Sequence, residues 1–128
     1  MSHSLTRIWI HAVWATKARN PLLTPNIEMR VHSLLHEQLS KLGCQVIAIN
    51  GMPDHVHCLF MMNKQTSIAD TMKQIKGASS HEINTWKSIS DKFAWQSGYS
   101  SYSVSESALT ATRNYILKQK QHHQSHPI

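Results

Sequence analysis

Two histidines one residue apart, His55 and His57, stand in the run Pro53-Asp54-His55-Val56-His57-Cys58-Leu59-Phe60-Met61-Met62. In a β-strand, alternation would send both imidazoles from one face and Val56, Cys58, Phe60 and Met62 from the other. The two α-carbons would then be about 6.6 Å apart, near enough for two rings to converge on one cation. Taken alone, a His-x-His pair is more simply explained as two surface histidines in a chain that holds ten. Near the C-terminus, Tyr115, Gln119 and His122 recur at i, i+4 and i+7, on one face of a helix. That spacing sets a phenol nucleophile beside an amide able to ligate. An ordinary phenol is only about one part in a thousand ionised at pH 7, a deficit of roughly 4 kcal/mol, so a tyrosine nucleophile needs help. No residue stands out as its base. His122 either assists, contacts phosphate or simply occupies a helix end where the dipole favours a cation. Cys44 and Cys58 with the two histidines would complete a zinc tetrahedron, but Cys58 adjoins His57 and so projects through the opposite face. Both are read as core thiols.

The elements that must hold these residues follow from hydrophobic periodicity. Residues 7 to 14 alternate, with Ile8, Ile10, Ala12 and Trp14 on one face and Arg7, Trp9, His11 and Val13 on the other, which predicts a strand. Lys17 to Pro25 holds two prolines and reads as a loop. Ile27, Val31, Leu34, Leu35, Leu39 and Leu42 then recur with helical spacing until Gly43. Cys44 to Asn50 and His55 to Met62 are predicted as a hairpin around the turn Gly51-Met52-Pro53-Asp54. Thr66 or Ser67 caps a helix with the inward stripe Ile68, Met72, Ile75, Ser79, Ile83 and Trp86, ending near Lys87. Phe93 to Val104 reads as an irregular strand broken at Gly98, and Ser105 to His123 as a last helix with Leu109, Thr112 and Ile116 buried. The order β-α-β-β-α-β followed by α is that of a ferredoxin-like, RRM-like α+β fold. Its antiparallel sheet would carry helices on one side, with a C-terminal tyrosine-bearing helix added. Val56, Cys58, Phe60 and Met62 would face the helices and fix the register, leaving His55 and His57 on the open face.

Composition narrows the function classes. Nothing divides residues 1 to 128, and a chain of this length is one domain able to bury a real core. Thirteen Lys and Arg against seven Asp and Glu suit a polyanion such as nucleic acid. Two cysteines outside any Cys-x-x-Cys pair fit a reducing cytoplasm. No apolar run approaches the ~20 residues of a membrane span. Ile8 to Ala15 resembles a signal segment only until His11 interrupts it and Lys17-Ala18-Arg19 follows.

With these residues in place the chain resembles the single-tyrosine HUH transposases of the simplest bacterial insertion sequences, to which the REP-associated tyrosine transposases are similar. The resemblance rests on three motifs in the family's order. They are an opening strand followed by Thr16-Lys17-Ala18-Arg19-Asn20-Pro21-Leu22-Leu23, the Pro53-Asp54-His55-Val56-His57 triplet, and Tyr115-x-x-x-Gln119-x-x-His122-His123 preceded by Gly98-Tyr99-Ser100-Ser101-Tyr102-Ser103-Val104-Ser105. It implies that His55, His57 and Gln119 ligate a divalent metal, Mg²⁺ or Mn²⁺, and that Tyr115 attacks a phosphodiester. A DNA transposase would then cleave and rejoin single-stranded DNA at hairpin-bearing element ends through a 5′-phosphotyrosine, working as a homodimer. Arg7, Trp9 and His11 on one strand face, with Lys17, Arg19, Lys73, Lys76, Arg113 and His122 around the edges, are candidate DNA contacts. Each lysine could equally be a solvated face, and Trp9 a core or dimer aromatic. Two rivals use the same residues differently: a non-catalytic RRM-like nucleic-acid binder, and a metal-dependent phosphohydrolase built on the histidine pair.

Overall fold

The computed structural model describes residues 4–120, and the expectations for His122 and His123 lie outside them. Strand β1 (Trp9–Ala15) is followed by a 3-10 turn at Lys17–Arg19, then α1 (Pro25–Lys41), β2 (Gln45–Met52) and β3 (His55–Met61). Helix α2 (Ile68–Ile83), β4 (Ser100–Val104), a second 3-10 turn at Glu106–Ala108 and α3 (Leu109–Leu117) complete the order. The four strands form one antiparallel sheet in the order β2-β3-β1-β4. This is the expected α+β arrangement. No helix among the described residues is long and apolar enough to cross a membrane.

Alternation decides what each face of the sheet buries. Ile10, Ala12 and Trp14 of β1 and Val56, Cys58 and Phe60 of β3 form one core with Ile27, Val31, Leu35 and Leu39 of α1 and Met72, Ile75 and Ile83 of α2. Ser67 caps α2 by accepting a hydrogen bond from the Asp70 amide at 3.1 Å. The opposite face carries a smaller cluster of Ala48, Leu59 and Ile116, with Trp9, Ile47, Val104 and Leu109 packed against it. The face expected to be open is therefore covered by α3. That placement follows from the stripe of Leu109 and Ile116 finding apolar partners on β2 and β3.

Helix α2, the segment after Phe93 and strand β2 differ from the sequence expectation for local reasons, and the start of the last helix, expected at Ser105, is a 3-10 turn at Glu106–Ala108 before α3. Helix α2 stops at Ile83, short of Lys87, because the Asn84 amide donates to the Phe93 carbonyl and accepts from its N–H, both at 2.8 Å. Trp86 still reaches the core from the loop, with the Arg30 guanidinium 4.0 Å over its ring. The segment from Phe93 is joined to β1 by a single bridge, Trp95 to Thr16, and becomes a ladder strand only at Ser100, beyond Gly98 at φ 86. Strand β2 carries a bulge between Val46 and Ala48 that was not foreseen. The extra residue lets Val46, opposite Phe60, and Ile49, opposite Cys58, both face the helices, and it turns Asn50, opposite His57, toward α3. The hairpin then closes through Gly51, where a β-carbon would collide with the His55 carbonyl oxygen.

Candidate active site

Because Val56 and Cys58 are committed to the core, His55 and His57 emerge together on the α3 side, their ring centroids 5.1 Å apart. Covered by the helix, they are only 8% and 7% exposed. Each ring is oriented through its Nδ1. His55 Nδ1 lies 2.7 Å from Asp54 Oδ1, and the other oxygen of that carboxylate accepts from Arg19 Nε at 3.1 Å. Partial burial raises the Asp54 pKa, but the His55 hydrogen bond and the Arg19 charge outweigh it, so the group is held below the ordinary carboxylate value. His57 Nδ1 lies 2.9 Å from His11 Nε2 across the ladder, and burial lowers the His11 pKa, favouring the neutral ring. Asp54, which only accepts, fixes the His55 tautomer, and both Nδ1 contacts set the ring planes and leave Nε2 as the atom each ring would turn to a cation.

The loop that delivers Arg19 is itself constrained. Ala18 and Arg19 both have left-handed backbones, at φ 56 and φ 54, a conformation costing roughly 1–2 kcal/mol per ordinary residue. The Ala18 N–H donates to Gln96 Oε1 at 2.9 Å, and the buried Thr16 hydroxyl donates to the Asp54 carbonyl at 3.2 Å, so the turn is anchored on both sides.

Helix α3 brings the phenol. Ile116, fully buried in the second cluster, seats the helix, and Tyr115 beside it remains 44% exposed. The Tyr115 ring centroid is 6.0 Å from that of His57 and 6.3 Å from that of His11, edge-on in both cases. The helix is interrupted at Lys118, and Gln119 just beyond is fully buried, its Nε2 donating weakly to the Tyr115 carbonyl at 3.4 Å. Among the described residues no three of His, Cys, Asp or Glu are placed to hold a metal ion. A metal at the histidine pair would need a further ligand, and an amide oxygen qualifies.

The residues read from sequence as DNA contacts are scattered. Trp9 packs into the second cluster. Arg7 pairs with Glu106 at 3.5 Å, Arg19 with Asp54, and His11 with His57. Lys76 donates to the carbonyls of Gln96 and Gly98, both at 2.7 Å, and with Lys73 it sits on α2, across the sheet from the histidines. Lys17 and Arg113 are exposed.

This geometry has relatives. The family described as "Transposase IS200 like" matches residues 4–119. The chain belongs to that transposase family. The transposase is 29% identical over 114 residues to the ISDra2 transposase TnpA of Deinococcus radiodurans, covering 85% of this chain and 81% of that one. It superimposes with TM-score 0.72 on the crystal structure of a Deinococcus radiodurans R1 protein described as a transposase, at 26% identity over 93% of this chain and 95% of that one. It also shares its fold with a REP-associated tyrosine transposase bound to a REP hairpin, with TM-score 0.66 and 18% identity over 96% of this chain and 74% of that one.

Sequence reasoning singled out His55, His57, Tyr115 and Gln119 as site candidates but not the residues that contact the two histidine rings. Asp54 was visible as the acid beside the pair. His11 carried a usable signal: it occupies the same face of β1 as Trp9, so a strand neighbouring β3 would set it beside His57. The turn of Asn50 toward α3 carried none, because it depends on the β2 bulge.

Proposed function

We propose that this transposase cleaves and rejoins single-stranded DNA with Tyr115 as nucleophile, at a site where His55, His57 and Gln119 hold a divalent metal ion, Mg²⁺ or Mn²⁺. The observation that carries the reading is the 6.0 Å edge-on approach of the Tyr115 ring to His57, a ring whose Nδ1 is already engaged. The Tyr115 oxygen attacks phosphorus, the bond from phosphorus to the 3′ oxygen breaks, and its electron pair departs on that oxygen, which gains the proton the phenol gives up. A 5′-phosphotyrosine and a 3′-hydroxyl result. One phosphoester replaces another, so the reverse step rejoins DNA without a nucleotide cofactor. Two imidazoles and an amide oxygen suit manganese or magnesium, whose contribution when bound is to neutralise charge on the scissile phosphate. Asp54 holds His55 in the ligating tautomer, His11 holds the plane of the His57 ring, and α3 shields the pair from bulk water.

The substrate is DNA at hairpin-bearing element ends, a reading supported by the REP hairpin held by the fold neighbour and by the net charge of +6. Homodimer assembly rests on the family resemblance. The buried, free thiols of Cys44 and Cys58, both pushed up in pKa by burial, accord with a reducing cytoplasm. The test is covalent capture. A labelled single-stranded end oligonucleotide with Mn²⁺ is expected to give a protein-linked band on a denaturing gel that Tyr115→Phe abolishes. Binding without any adduct across candidate end sequences would leave the RRM-like binder as the better reading.

A further inference from the structure

The strained turn after β1 does not serve the core. Ala18 and Arg19 stand consecutively at φ 56 and φ 54, a left-handed conformation that residues other than glycine avoid, yet Lys17–Arg19 buries none of its residues. Such strain persists where surrounding bonds over-determine it. Here the Lys17 amide donates to the Ala94 carbonyl at 3.0 Å and the Ala18 amide to Gln96 Oε1 at 2.9 Å. Gln96 is itself fixed through its backbone. Its amide donates to the Ala15 carbonyl at 2.8 Å, and its carbonyl accepts from Lys76 Nζ of α2 at 2.7 Å. The same ammonium holds the carbonyl of Gly98 at 2.7 Å, the residue at φ 86 that precedes β4. A brace thus runs from α2, through the loop before β4, to the turn.

What the turn presents is Arg19. Its Nε donates to Asp54 Oδ2 at 3.1 Å, while Oδ1 of the same carboxylate lies 2.7 Å from His55 Nδ1. The Asp54 carbonyl accepts from the Thr16 amide at 2.9 Å and from the Thr16 hydroxyl at 3.2 Å, so the backbone is pinned and the plane of the carboxylate is the freedom left. Partners on both carboxylate oxygens remove that freedom. The Arg19 side chain is 63% exposed, and an ion pair so open to water contributes little to stability. Neither burial nor ion pairing accounts for the strain, whereas the geometry imposed on Asp54 does. Resting on the reading that His55 is a metal ligand, we infer that Arg19 is a positioning residue: through Asp54 it sets the plane of the His55 ring, and Gln96 with Lys76 braces the turn that delivers it.

The test is metal affinity in the DNA-free protein, where a phosphate contact by Arg19 has no effect. Arg19→Gln is expected to weaken Mn²⁺ binding about tenfold by calorimetry, with Arg19→Lys restoring most of the loss and the unfolding midpoint of both close to wild type. Gln96→Leu should give a smaller loss, about threefold. In the Asp54→Asn background the effect of Arg19→Gln should shrink below about twofold, because the relay is already cut. Nitrogen NMR of the metal-free protein supplies a second readout: the hydrogen-bonded Nδ1–H of His55 should shift toward the value of a free imidazole in Arg19→Gln. Wild-type Mn²⁺ affinity or a wild-type His55 spectrum in Arg19→Gln would overturn the inference, as would the full loss persisting in the Asp54→Asn background. If the wild type binds no Mn²⁺ the metal reading falls, and the His55 spectrum still decides whether Arg19 orients the ring.

Discussion

The two faces of the sheet differ in kind although they share every strand. Toward α1 and α2 the buried residues of β1 and β3 are Ile10, Ala12, Trp14, Val56, Cys58 and Phe60, an apolar layer whose thiol, Cys58, is held protonated by burial. Toward α3 the same strands offer His11, His55 and His57, and the buried apolar cluster there, among the described residues, is Ala48, Leu59 and Ile116. A strand slipped by one residue would exchange the two sets, so the cost of burying imidazoles in the large core is what keeps the site on the other side. On the proposed function, stability and chemistry fall to alternate residues of β3.

The sharpest way to break this contrast is a pair of substitutions three residues apart. Phe60→Ala is expected to lower the unfolding free energy by ~3–5 kcal/mol in a denaturant titration. His57→Ala should slow adduct formation about 1000-fold, ~4 kcal/mol in the barrier, while leaving the unfolding midpoint close to wild type. If His57→Ala unfolds the protein as Phe60→Ala does, the histidine belongs to the core and the division of labour fails.

Much of this arrangement was legible in the sequence. The apolar series through Phe60 set the register of β3, and that alone placed the histidines together. The tyrosine helix was equally legible as a helix, but its seat was not. Leu109 and Ile116 form a short stripe that any apolar patch could cover, and the matching patch exists only after β2 and β3 pair. Asn50 was hidden for a related reason, since one bulge residue reverses which face it takes. The basic residues are less legible from type alone: Arg19 and Lys76, read as DNA contacts, also make contacts within the chain, with the Asp54 carboxylate and with the carbonyls of Gln96 and Gly98.

A milder probe sharpens the contrast within the α3 side. Asp54→Asn retains shape but removes the charge that orients His55, and it is expected to weaken Mn²⁺ binding about 10- to 100-fold by calorimetry. An unchanged affinity would reduce Asp54 to a turn residue. The smallest expected effect is on pH dependence and comes from α1. Burial, with the Lys120 charge adding to it and Glu28 opposing it, holds the His32 pKa below 6.5, and its Nε2 is buried without a hydrogen-bond partner. Below pH 6.5 the unfolded chain takes up a proton that the folded one refuses, so stability falls as pH drops from 6.5 toward the folded-state value and levels off beneath it. His32→Gln should flatten that part of a thermal-melting profile measured from pH 7 to 5. An unaltered slope would place the titration elsewhere.

The phenol that reacts can be identified directly, because Tyr102 shares the active face, is more exposed at 58%, and lies with its ring 6.1 Å from His11. The covalent product of the wild-type transposase with a single-stranded end oligonucleotide and Mn²⁺ should be digested with nuclease and protease and mapped by mass spectrometry. The nucleotide mass is expected on Tyr115 alone. Its appearance on Tyr102, or on no tyrosine, would contradict the assignment of the α3 phenol to the paired histidines.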